Sequence, residues 1–195
     1  MTTYRHVPAA IAALVVPLLL LAGCADDEDP QAADPTGSAE SGPESGPESS
    51  TADVDYPEVG LDLVDLPELK GVYQQALQTY VDFERGRREA ARTARLGRLL
   101  SFNATAPVVD LYRRALVAFS DRGTYDGVVV IEFLELQTRD QVLTIDVCVD
   151  ATQLVVPDGA PTLLGEATRV PQRIKVTNIV GAWRVTRFEQ LDGSC

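Results

Sequence analysis

The sequence predicts an α+β domain, and two observations carry that prediction. Between residues 65 and 119 the apolar residues recur at helical spacing, whereas from Gly127 onward they alternate, as they do in strands with one buried face. Helices followed by an antiparallel meander, over about 135 residues, make one domain large enough to bury a real core.

The elements follow in chain order. Asp65 and Glu68 match a capping box, with Pro67 in the first helical turn, where its missing N–H costs nothing. Leu69, Val72, Tyr73, Ala76, Leu77 and Tyr80 then form one apolar stripe. A second helix is expected from about Arg87 to Leu100. A third begins after Thr105, with the stripe Val108, Leu111, Tyr112, Ala115, Leu116 and Phe119, and Gly123 closes it. Residues 128–136 and 141–149 read as strands joined by Thr138, Arg139 and Asp140. On the second of these Leu143, Ile145, Val147 and Val149 share one face, and Thr144, Asp146, Cys148 and Asp150 the other. A shorter hairpin is expected to turn at Pro157, Asp158 and Gly159, and strands 169–179 and 182–190 are joined by Val180 and Gly181.

Residues 1–60 have a different composition. Arg5 precedes an apolar run at 7–22 that ends in Leu21-Ala22-Gly23-Cys24, the layout of a secretory signal peptide. The run is interrupted by Pro8 and Pro17 and is shorter than the roughly 20 residues a membrane-spanning helix needs. Its ending resembles the lipobox of bacterial lipoproteins. That resemblance implies removal of residues 1–23, a lipid such as palmitate on Cys24, and a place on the extracytoplasmic face of the cell membrane. Residues 24–60 then read as an acidic disordered linker, with eleven acidic residues, no Lys or Arg, and the repeat Ser-Gly-Pro-Glu at 41–48. The linker holds nearly all of the formal charge of −12, and residues 61–195 are close to neutral. Nucleic acid is therefore not an expected partner.

Gly127, the string Val147-Cys148-Val149-Asp150, the string Ala182-Trp183-Arg184-Val185 and the terminal Cys195 together resemble nuclear transport factor 2-like (SnoaL-like) domains. More narrowly, the chain is similar to secreted lipoproteins of high-GC Gram-positive bacteria that carry this domain. The resemblance implies a cone-shaped fold over residues 61–195, with about three N-terminal helices packed on a curved antiparallel sheet and a concave pocket between them. It also implies a Cys148–Cys195 disulfide. The cysteine count favours the same pairing independently, since lipidated Cys24 leaves an even pair in an exported chain.

The lone histidine, His6, leaves with the signal peptide, which excludes Ser-His-Asp, Cys-His and histidine-zinc chemistry from the mature chain. No glycine-rich phosphate loop follows a strand, and neither a metal site nor a cofactor is implied. The candidate pocket is Tyr73, Tyr80, Tyr112, Leu143, Ile145, Val147 and Trp183. The apolar character of its strand residues predicts a non-enzymatic, lipid-anchored module that binds an apolar small molecule or docks another envelope protein. The alternative is an isomerase or dehydratase of the SnoaL-like type, pairing a tyrosine with Asp146 or Asp150. Arg85, Arg88, Arg92 and Arg95 share one helical face. They are candidates for a solvated surface, for contact with a protein partner, or for an anion site, the anion being a lipid headgroup, a wall polymer or the protein's own acidic linker.

Overall fold

The computed structural model describes residues 51–119 and 123–195; the expected signal peptide, Cys24 and the linker up to residue 50 lie outside them. Strands β1 (Thr51–Tyr56) and β2 (Leu61–Pro67) come first, followed by helices α1 (Val72–Thr93), α2 (Arg98–Asn103) and α3 (Ala106–Phe119). Strands β3 (Val129–Arg139), β4 (Val142–Asp150), β5 (Arg169–Ile179) and β6 (Ala182–Gln190) complete one six-stranded sheet in the order β1-β2-β3-β4-β5-β6.

This corrects the expected cone with three N-terminal helices on an antiparallel sheet. A β-hairpin precedes the helices, and only α1 and α3 are longer than two turns. The sheet is mixed, because β2 pairs parallel with β3 while every other pairing of named strands is antiparallel. Parallel neighbours need a long crossover, and α1–α3 supply it.

The ordered sheet starts at Thr51, inside the stretch expected to be linker. Residues 61–67, which include the expected helix start at Asp65 and Pro67, are a strand because Leu61 and Leu63 alternate with Asp62 and Val64 and bury completely. The Asp65 "cap" is a bulge: its φ is 55°, the β1–β2 register shifts there, and its N–H donates to Asp53 Oδ1 at 3.1 Å. The first helix starts instead at Val72, after Gly71 with φ 63°. The helix expected over 87–100 does not exist as one piece. α1 continues to Thr93, Ala94 ends it in the left-handed conformation, and α2 starts at Arg98. The hairpin expected at 157–159 is an irregular connection containing a single 3-10 turn, Thr162–Leu164. Strands 169–179 and 182–190 match the sequence expectation residue for residue.

Leu61 and Leu63 of β2, Ile131 of β3, and Leu143, Ile145 and Val147 of β4 share the buried face with Ile174, Val176 and Val185 of β5 and β6. Helix α1 crosses β4, β5 and β6, covering that face with Ala76, Leu77, Tyr80 and Phe83. Bulges at Phe133/Glu135 and Lys175/Val176 bend the sheet around the helices. On the outer face Cys148 is joined to Cys195, with Cα atoms 5.8 Å apart, which fastens the chain end to a central strand.

Candidate functional site

Past Tyr80, the buried stripe of α1 changes character. Glu84 and Arg87 continue it at helical spacing, and both are buried, at 3% and 8% exposure. Arg87 Nε donates to Glu84 Oε2 at 2.7 Å. This ion pair sits at a cavity of about 270 Å³ between α1, α3, the sheet and the 162–168 connection. Tyr112 of α3 and Gln172, Phe188 and Gln190 of β5 and β6 form further walls, and Thr162, Glu166 and Thr168 come from the connection. Gln172 and Gln190 are register partners, so their amides stand side by side. Phe83 and Phe188 clamp the Tyr112 ring, with centroids 5.9 and 6.0 Å away.

The electrostatics of this cluster favour hydrogen-bond donors. Burial works against the Arg87 charge, but the attraction of Glu84, with smaller help from Tyr112 and Tyr80, holds its pKa above the ordinary arginine value. Burial pushes the Tyr112 phenol up, with Arg87 opposing and Glu84 assisting, and burial and then Glu84 push Tyr80 well up too. Both phenols therefore stay protonated at neutral pH. Among the described residues, neither terminal nitrogen of Arg87 and no partner of the Tyr112 hydroxyl is engaged in a hydrogen bond. Tyr80 Oη is fully buried and also lacks a partner. Glu189 is balanced by Arg187 at 2.6 Å, which leaves Glu166 as the wall's unpaired carboxylate among the described residues.

Of the seven residues proposed from sequence as a pocket, Tyr112 alone lines this cavity. Tyr80, Leu143, Ile145, Val147 and Trp183 are packed core. Tyr73 is partly buried at the start of α1, its hydroxyl donating to Asp140 O at 2.7 Å and its ring lying 5.8 Å from Trp183. Asp146 and Asp150 are on the other face of the sheet. Arg173 holds Asp146 through two bonds of 2.7 and 2.5 Å, and Asp150 accepts from the Thr152 N–H and hydroxyl. The Tyr–Asp pairing needed for the isomerase alternative is therefore not brought together.

The arginine face is also used internally. Arg85 stacks on Tyr56 at 4.4 Å and faces Asp82 and Glu58. Arg88 is buried and donates to Gly60 O and Gly127 O, and Arg92 pairs with Asp126 at 2.7 Å. Arg95 has no ion pair or hydrogen bond among the described residues. Three of the four thus hold the β1–β2 turn and the entry of β3 onto α1. Sequence reasoning missed Glu84, Arg87, Gln172, Gln190 and Glu166. The signal for the first two was present: a charged pair at i, i+3 continuing an apolar stripe.

Among the described residues no group of three or more His, Cys, Asp or Glu is placed to hold a metal, and no helix is long and apolar enough to cross a membrane. No protein family matches the chain, and no curated protein matches it. Among solved structures it is similar to the intermembrane space region of the chloroplast protein ARC6, at 12% identity and a TM-score of 0.39. That likeness covers 64% of this chain and 100% of the other.

Proposed function

We propose that the protein is a lipid-anchored domain on the extracytoplasmic face of the cell membrane that binds a small molecule bearing a carboxylate or similar oxygen acceptor. The anchor and location rest on the Leu-Ala-Gly-Cys motif ending at Cys24, and a Cys148–Cys195 disulfide suits an oxidising compartment. The ligand class rests on one observation: Arg87, whose terminal nitrogens take no hydrogen bond among the described residues, and Tyr112 line the same partly open cavity. A fork of guanidinium N–H groups is the geometry that receives a carboxylate through two parallel bonds. The apolar ligand expected from sequence loses its basis, because the apolar residues named for it fill the core.

Calorimetric titration of the intact protein with acetate, benzoate and phenylacetate tests the reading. At least one should bind, and Arg87→Gln and Tyr112→Phe should each weaken it tenfold or more, about 1.4 kcal/mol. Binding that is equal in both folded variants, or absent for all three acids, overturns it.

A further inference from the structure

Val180 is fully exposed, and its φ is 51°. A β-branched residue in the left-handed region is strained, and glycine, asparagine or aspartate is the ordinary occupant of such a hairpin turn. Ile179 beside it is 42% exposed and Val72 is 57% exposed. The start of α1, with Val72, lies at the same end of the sheet, since Tyr73 reaches Asp140 in the β3–β4 turn and packs on Trp183 beside the β5–β6 turn. Between Val176 and Phe188 the charged residues are Arg184 and Arg187, the latter paired with Glu189, and the adjoining β3–β4 turn carries Arg139 and Asp140, which balance each other.

The strand directions give this end its meaning. β3 and β5 both run toward it, and β2 runs parallel to β3. β1 is antiparallel to β2, with Thr51 opposite Pro67, so the described chain enters the domain from the end that carries Val180. The entry is on one edge of the sheet, and the Val180 turn joins β5 to the other edge strand, β6. Five interstrand spacings separate the two edges, roughly 24 Å. A chain leading from a lipidated Cys24 thus arrives at the end that displays the exposed aliphatic turn.

We propose that the Val180 end of the domain rests on the bilayer that holds the lipid anchor, with Ile179 and Val180 inserted at the interface as a second contact point. The inference rests on the lipid-anchor reading above. Two aliphatic side chains bind a membrane weakly by themselves, but the tether makes the contact intramolecular, so a weak contact is enough. The carboxylate-binding cavity is then held at a fixed orientation to the surface.

Trp183 is the chain's single tryptophan and lies in the same hairpin, opposite Asn178. The mature, acylated protein is reconstituted into vesicles of equal parts phosphatidylcholine and phosphatidylglycerol, with brominated or unbrominated acyl chains, and Trp183 fluorescence is read. Mass spectrometry of the peptide containing Cys24 is recorded on the same sample. Bromine should quench Trp183, Val180→Asp should abolish most of the quenching, and Val155→Asp, at the opposite end, should leave it unchanged. Aspartate is at home in a left-handed turn, so the Val180 variant keeps the fold. Acylated protein on vesicles with no quenching, or with quenching indifferent to Val180→Asp, overturns the proposal and leaves the anchor standing. An unacylated Cys24 overturns both. A dimer in detergent that Val180→Asp converts to monomer assigns the turn to a second copy and overturns the bilayer contact.

Discussion

The Arg88 guanidinium donates through Nη2 to the Gly127 carbonyl oxygen at 3.2 Å, and its Nε reaches the Gly60 carbonyl oxygen at 3.3 Å. One fully buried side chain of α1 thus joins the turn before β2 to the segment before β3, the parallel pair at the centre of the crossover. Burial, then the neighbouring charges of Arg87 and Arg92, lower its pKa to about 10, so it is still charged at neutral pH. Arg88→Met removes the donor, leaves the half-buried Gly127 carbonyl without it and the Gly60 carbonyl with the Val129 N–H alone, and opens space in the core, which should cost about 2–4 kcal/mol. Lysine should not restore the loss, since it cannot span both acceptors with a planar fork. Urea unfolding checks this, and a change below about 1 kcal/mol would show that the tie is ornamental.

Asp126 gives the fold an acid-sensitive joint. The Gly127 N–H and then Arg92, each 2.7 Å away, hold its carboxyl below the ordinary value of 3.8. Its stabilising contribution is therefore complete above the unfolded value and disappears as pH falls through the lower folded value. Wild type should exceed Asp126→Asn in unfolding midpoint by a constant margin above about pH 5, and the margin should shrink to nothing in stronger acid. Denaturant curves across that range decide it; a margin that persists in acid would mean the carboxylate's charge is not what matters.

How much of this was legible in the sequence depends on which force set each element. β5 and β6 were readable to the residue because alternation and a Val-Gly turn agree. β1 was not, because Thr51–Tyr56 is an edge strand with polar residues on its exposed face, and its composition matches the linker before it. β2 was hidden by a coincidence, since Asp65, Pro67 and Glu68 satisfy a helix-start pattern while Asp65 in fact forms a bulge. Arg85, Arg88 and Arg92 do fall along α1, while Arg95 lies past its last residue, Thr93, and periodicity cannot show that Gly60, Asp126 and Gly127 fold back to meet the arginines. For the same reason the cavity escaped: its polar walls come from α1, α3, β5, β6 and the 162–168 connection, five segments that adopt one geometry only in the tertiary fold.

The Glu84–Arg87 pair should behave as a unit. Removing one partner leaves an uncompensated buried charge, so Glu84→Gln or Arg87→Met alone should cost about 3–5 kcal/mol. Glu84→Leu combined with Arg87→Met removes both charges and should recover most of that loss. A double-mutant cycle by chemical unfolding measures the coupling, and additive costs would contradict it. If the pair is retained for ligand recognition, the recovered double variant must bind none of the three test acids.

The Cys148–Cys195 bond closes a sequence separation of 47 residues, for which chain-entropy reasoning allows about 4 kcal/mol. Cys195→Ser with Cys148→Ala should lower stability by up to that amount, and dithiothreitol should do the same to the wild type while leaving the variant unchanged. The unfolding midpoints of the two proteins, each with and without reductant, form the test. Equal midpoints in all four conditions would show that the bond constrains nothing.

Gly86 sets two forces against each other in the middle of α1. Helix propensity alone makes Gly→Ala stabilising by about 1 kcal/mol. A Cβ at this site, however, would stand 2.3 Å from the Leu100 backbone nitrogen and 2.8 Å from the Leu99 carbonyl carbon. These are backbone atoms of α2, which cannot rotate away as a flexible side chain would. Since α2 is attached beyond residue 103 to Val185 of β6, through the Thr105 N–H at 3.0 Å, its displacement would pull on the edge of the sheet. Overpacking of this kind costs about 1–3 kcal/mol, so the steric effect should win and Gly86→Ala should be less stable than wild type. An increase in melting temperature would mean instead that α2 gives way freely, and that α1 and α2 are not locked by their backbone contact.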